Sequence, residues 1–327
     1  MKNTLRAAIR TGLYPVLLLS TLGFAAAAIA LEWDLQKAMF HYLPALMVLL
    51  IACERLFPFD AAWGMTLRSF GRDLRYLWMD ALVIGGTRAA FAWLALRLAA
   101  ESRGPLSRAP VWLAVPLALL AWDLAQYLLH RYSHEGGGPA ARFLWRTHLA
   151  HHLPDRVYVL MHGVFHPVNA FLNAAILQAV FLGLGLSPAA AFAAMLLIDL
   201  QTFVSHFNVD MRAGWLNYVF IGTELHRTHH GADAAGTGNF GSVLSAWDLL
   251  FGTFRYSPGT RPAKLGVEPQ DGVPRSEEVL RVLAHPFRPG YPGGASAMRQ
   301  RKTGIREEGR EKDRSRSGVR GGAPERG

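Results

Sequence analysis

Cysteine occurs once in the 327 residues, at Cys53, so no disulfide can form within the chain and no cysteine-based metal site is possible. No Gly-x-Gly-x-x-Gly fingerprint follows a strand-like run, so the sequence offers no flavin or dinucleotide site of its own. Carboxylates are scarce around the histidine-rich segments, which disfavours calcium there. The balance of charge is basic, at +10, but half of it lies in residues 296–327, where ten Lys/Arg oppose five Asp/Glu. That tail has almost no large apolar residues and reads as disordered. A tail touching anionic lipid accounts for the basic balance, and a nucleic-acid partner is not expected.

What the chain has in quantity is apolar sequence. Hydrophobic residues make up 51% of it, and they are gathered into runs at 13–31, 39–53, 81–100, 111–129, 168–186 and 188–204. At ~1.5 Å per helical residue, such runs approach or match the ~30 Å of a hydrocarbon layer, 39–53 being the shortest. Six are too many for the core of a soluble protein of this size. Lys2, Arg6 and Arg10 ahead of the first run resemble the start of a signal peptide. Because further spans follow, the run reads as a retained first helix.

Arg55, Arg68, Arg72 and Arg75 lie between the second and third runs, whereas the connections assigned to the other side carry only Lys37 in one and Arg103 and Arg108 in the other. That asymmetry predicts a multi-pass protein with the Arg55–Arg75 segment, the region after His130 and the C-terminus on the cytoplasmic side. The last two runs meet at Leu186-Ser187-Pro188, where a helix must stop. They read as a hairpin that dips into the membrane and returns. Three polar segments, 130–167, 205–231 and the stretch to 288, then share one face.

Eight of the 13 histidines fall in three clusters on that face: HRYSH (His130, His134), HLAHH (His148, His151, His152) and HRTHH (His226, His229, His230). On a helix, residues three and four apart share a face, so each cluster is expected to aim its rings at a common point. Eight rings left as surface groups would repel when protonated and gain little in packing. Imidazole is the commonest protein ligand for iron, zinc and copper. One tetrahedral zinc takes four ligands, so two metals are implied. A membrane metal transporter or storage protein is the alternative, but it would need ligands within the spans. A haem protein with paired axial histidines would leave most of the rings unused.

The segments DLAQYLLHRYSH, WRTHLAHH, HFN, ELHRTHH and GNFGSVLSAWDLLFGTF, in this order between Trp122 and Tyr256, resemble the fatty acid hydroxylase/sterol desaturase superfamily of membrane di-iron enzymes. The resemblance covers roughly 40% of the chain. It implies an all-α, polytopic membrane bundle under a cytosolic helical cap that holds two irons in a histidine cage. The implied activity is O2-dependent hydroxylation or desaturation of a membrane lipid of the sterol or fatty acyl class. Its implied ligands are His130, His134, His148, His151, His152, His206, His226, His229 and His230. Electrons would come from a separate donor such as a ferredoxin, a cytochrome or a reductase.

Around that set, Asp123 and Asp199 lie inside apolar runs, where an ionisable group is costly and usually functional, and are expected to orient imidazoles from other helices. Asn208 is expected to act near the site, through water. His166, four residues after His162, is expected in a supporting role or at a substrate mouth rather than as a ligand. Trp247, Asp248 and Phe251 read as packing that closes the cage. The domain expectation is N-terminal membrane helices over 1–110, a catalytic unit with the hairpin over 111–260, and an extension with the basic tail over 261–327.

Overall fold

The computed structural model describes residues 2–97, 104–232, 237–267 and 271–288. The basic tail expected to be disordered, and the last residues of the third apolar run, lie outside the described residues. Helices account for nearly all regular structure, and the described residues hold only three isolated β-bridges. Six helices are long and apolar enough to cross a membrane: α1 (Lys2–Ala30), α2 (Leu35–Leu56), α3 (Leu67–Arg97), α4 (Val111–Glu135), α6 (Pro167–Leu184) and α7 (Pro188–Ser205). The protein is a polytopic helical membrane bundle.

The shortest apolar run grows into the 22-residue α2, because Asp34 caps its first turn by accepting the Lys37 amide. The third grows at its N-terminal side. Its helix begins at Leu67, so Arg68, Arg72 and Arg75, expected between spans, stand on α3 itself. Arg72 is buried there because Asp73 and Tyr158 accept its guanidinium hydrogens. Helix α1 is packed into the bundle against α7, where Gln201 donates to the Tyr14 hydroxyl at 2.8 Å.

The hairpin forms where the sequence marks it. Gly185 adopts φ +67° after α6, a conformation that L side chains rarely take. Ser187 then caps α7 by accepting the Ala190 amide at 3.2 Å. Helix α7 is the axis of the bundle. Packed between α1, α2 and α4, it buries Ala190, Ala194, Leu196, Leu200 and Val204 completely. Helices α3 and α6 pair along their length beside α4 and α7.

Short helices cap one end of this bundle: α5 (Gly138–His152), α8 (Thr223–His229), α9 (Ala246–Phe251) and α10 (Val279–Ala284). Glu54, at the end of α2, accepts the amides of both Val159 and Asn208 at 2.7 Å and ties two cap loops to the spans.

Candidate metal centre

All nine histidines implied by the resemblance meet at the junction of spans and cap, where they sort into two groups. His130, His134, His148, His152 and His229 bring one ring nitrogen each to within 4.8 Å of one another. His151, His206, His226 and His230 do the same beside them. The expectation that each cluster points at one spot needs correction. In HLAHH, His148 and His152 join the first group and His151 the second. In HRTHH the split is reversed, with His226 and His230 in the second group and His229 in the first. Residues at i and i+4 share a helix face, while i+3 is rotated off it, so each short helix lends rings to both groups. His206 caps the C-terminal end of α7, and His130 and His134 stand on the last turns of α4.

Three rings are oriented by main-chain carbonyls, which can only accept. Nδ1 of His130 donates to Phe240 at 2.8 Å, that of His229 to Gly238 at 2.9 Å and that of His206 to Thr202 at 3.0 Å. Nδ1 of His148 faces the Asn169 amide oxygen at 3.0 Å. Each such bond leaves a free lone pair on Nε2. The Phe165 ring stacks on His151 with centroids 4.5 Å apart. Burial holds the cap imidazoles neutral: His148 falls to about 4 and His206 and His229 to about 3. Burial also drives His151, His152, His226 and His230 well below the ordinary range. Neutral imidazole is the metal-binding form.

The geometry fits metal ions. His206 Nε2 lies 3.1 Å from His151 Nε2 and 3.0 Å from His226 Nε2, which is itself 3.0 Å from His230 Nε2. In the first group, His148 and His152 bring their Nε2 atoms to 3.1 Å. Two nitrogens bound at about 2.1 Å to one ion are about 3.0 Å apart at right angles and about 3.4 Å apart at the tetrahedral angle. The observed spacing is the right-angle one, and five donors exceed a tetrahedral set. Nε2 of His130, His134 and His229 is buried with no protein partner, a costly state for a polar atom unless a cation takes it.

Asp248, expected merely to help close the cage, does more. Asp248, on α9, accepts the amides of Phe240 and Gly241 at 2.8 and 2.7 Å and the Thr253 hydroxyl at 2.6 Å. Asp123, on α4, accepts the amides of Ser242, Val243 and Leu244 at 2.9, 2.8 and 3.2 Å. Together they hold the strip that supplies the Gly238 and Phe240 carbonyls. Gly238 and Gly241 are needed there, because a Cβ on either would overlap the carbonyl of Thr253 or of Leu244.

Asp123 therefore serves the cage through backbone and touches no imidazole, contrary to expectation. Asn208 also differs. Its side chain donates to the Asp60 carbonyl and accepts the Asp60 amide, so it pins a cap loop rather than a ring. His166 caps α6, accepting the Val168 amide at Nδ1 while Nε2 faces the Leu283 carbonyl. It is separated from His162 because residues 159–163 form a 3-10 turn rather than part of an α-helix.

A cavity of about 440 Å3 runs from the histidines into the bundle between α3, α4, α6 and α7. His130, His148, His151, His206 and His226 wall one end, and Leu77, Ile84, Leu177, Met195 and Ile198 line its length. Asp199 borders it deeper, in the field of Arg88, and so sits beside the cavity and not on a ring. Ala81 and Arg88 also line it and are exposed. Asp80 was missed in the sequence. It stands immediately before an apolar run and so read as part of a connection, although α3 carries it inside the bundle.

Helical spans, buried imidazoles in two groups able to hold metal and a largely apolar cavity beside them mark the class: a membrane protein with a candidate metal centre. The fatty acid hydroxylase family profile matches residues 115–253. The chain is 30% identical over 306 residues to the ornithine lipid hydroxylase OlsE of Rhizobium tropici, covering 87% of this chain and 86% of that protein. The alkylglycerol monooxygenase of Danio rerio is 28% identical over 173 residues, 52% of this chain and 33% of its own. That of Homo sapiens is 28% identical over 42% of this chain and 29% of its own. The chain thus spans about a third of the alkylglycerol monooxygenases. No solved structure matches it. The chain belongs to the fatty acid hydroxylase family, and it is an oxygenase-type, lipid-modifying enzyme rather than a transporter.

Proposed function

We propose that the protein is an O2-dependent di-iron hydroxylase of a membrane lipid, with the five-histidine group holding one iron and the four-histidine group the other. The observation that carries this reading is the cavity: it is walled mostly by apolar side chains and ends on rings from both groups. The names of the relatives favour hydroxylation over desaturation, and a polar lipid of the ornithine-lipid kind is the first substrate to test. The catalytic unit is residues 111–260, served by the spans over 1–110. The cap and the C-terminal extension face the cytoplasm, where a separate ferredoxin, cytochrome or reductase supplies electrons.

An unactivated C–H bond is beyond any protein side chain, and bound iron with O2 would supply that oxidising chemistry. What the chain contributes is placement and dryness. The Phe240, Gly238 and Thr202 carbonyls fix three rings and free their Nε2 lone pairs for metal. Leu77, Ile84, Leu177 and Ile198 hold an alkyl chain and exclude water. His130, His148, His151, His206 and His226 set the end at which the chain is presented.

The test is anaerobic purification followed by metal analysis and single turnover under 18O2. About two irons per chain and one labelled oxygen in the lipid product are expected. Zinc in place of iron, or product oxygen drawn from water, would refute the proposal.

A further inference from the structure

Asp80 has a chemistry that the cage does not use. It is buried, 5% exposed, on the face of α3 that lines the cavity between Leu77 and Ile84. Its carboxyl accepts the Phe165 amide, and Phe165 in turn stacks on His151. That contact occupies one oxygen. Oδ1, the other, is buried with no hydrogen-bond partner. Arg88 is the only cation among the described lining residues. It lies eight residues further along α3, ~12 Å up the axis, and faces Asp199.

A carboxyl oxygen shut away from water without a hydrogen-bond partner is costly. A structural role is already met by the Phe165 amide and explains nothing about Oδ1. We propose that Asp80 is a substrate-recognition residue that accepts a hydrogen bond from the ammonium group of an amino-bearing lipid. An ammonium brings both things that Oδ1 lacks, a donor and a positive charge. The apolar walls take the chains of the same lipid. This rests on the cavity being the lipid site, as proposed above, and not on turnover.

The test therefore reads binding. The protein in nanodiscs is titrated with an aminoacyl lipid carrying a free ammonium and with its N-acetylated counterpart. Bound lipid is followed by protection of Asp80 from dicyclohexylcarbodiimide, mapped by peptide mass spectrometry. The free-ammonium lipid is expected to protect Asp80 at least tenfold better. In Asp80→Asn, which keeps an oxygen for the Phe165 amide, radiolabelled binding of the ammonium lipid should weaken about tenfold, while that of the acetylated lipid stays unchanged. Equal protection by the two lipids, or no protection by either, overturns the proposal even if the variant fails to fold. So does a parallel loss of both ligands in Asp80→Asn. Failure of the iron or 18O2 experiment with this preference intact would sink the oxygenase reading alone.

Discussion

Acid should loosen the metal-free cage, by an amount that the buried imidazoles set. His148, His206 and His229 are held at about 4, 3 and 3 by burial, against about 6.5 in an unfolded chain. As the pH falls below 6.5 these rings gain protons in the unfolded chain that they refuse in the folded one, so their contribution to stability drops with acidification. The loss continues until the folded-state values are reached, near pH 4 to 3. For one such group the step from pH 7.5 to 5.5 costs about 1.4 kcal/mol, and for three about 4 kcal/mol. His151, His152, His226 and His230 shift in the same direction and add to the imidazoles' share. The assay is denaturant unfolding of chelator-treated protein in nanodiscs at several pH values, followed by circular dichroism. His206→Asn should take close to one proton from the pH slope. A pH slope left unchanged by His206→Asn would mean that this ring is already hydrated or charged, and the account of a dry, neutral cage would fall.

Three further outcomes follow from the cage. His151→Ala and His152→Ala, though adjacent, should each cut bound iron from two to about one, with spectroscopically different residual sites; identical residual spectra would show that the two rings serve one ion. Asp123→Ala strips the acceptor from three amides and should destabilise the protein by about 2–4 kcal/mol, read as a lowered thermal midpoint, and an unchanged midpoint would refute that role. Gly238→Ala forces a Cβ onto the Thr253 carbonyl and should lower metal content by disturbing the His229 acceptor, whereas full metal loading would show that the strip can shift without cost.

The spans were legible because hydrophobic runs of that length have one stable solution in lipid, and the hairpin because Ser187-Pro188 stops one helix and starts the next. The histidines were legible because their spacing is dense and chemically unusual. Their division between two groups was not, since local geometry splays adjacent rings apart but only docking of the short helix against its neighbours decides which group each ring faces. The roles of Asp123, Asn208 and His166 were also hidden. A polar residue inside an apolar run announces that it needs a partner, but not whether the partner is a ring or a loop amide from a hundred residues away. Composition and local spacing thus determined the class of the molecule and its candidate ligands. Only the tertiary packing decided which nitrogens face one another, which carbonyls aim them, and that Asp80 lines the cavity, because those contacts join residues that share no local pattern.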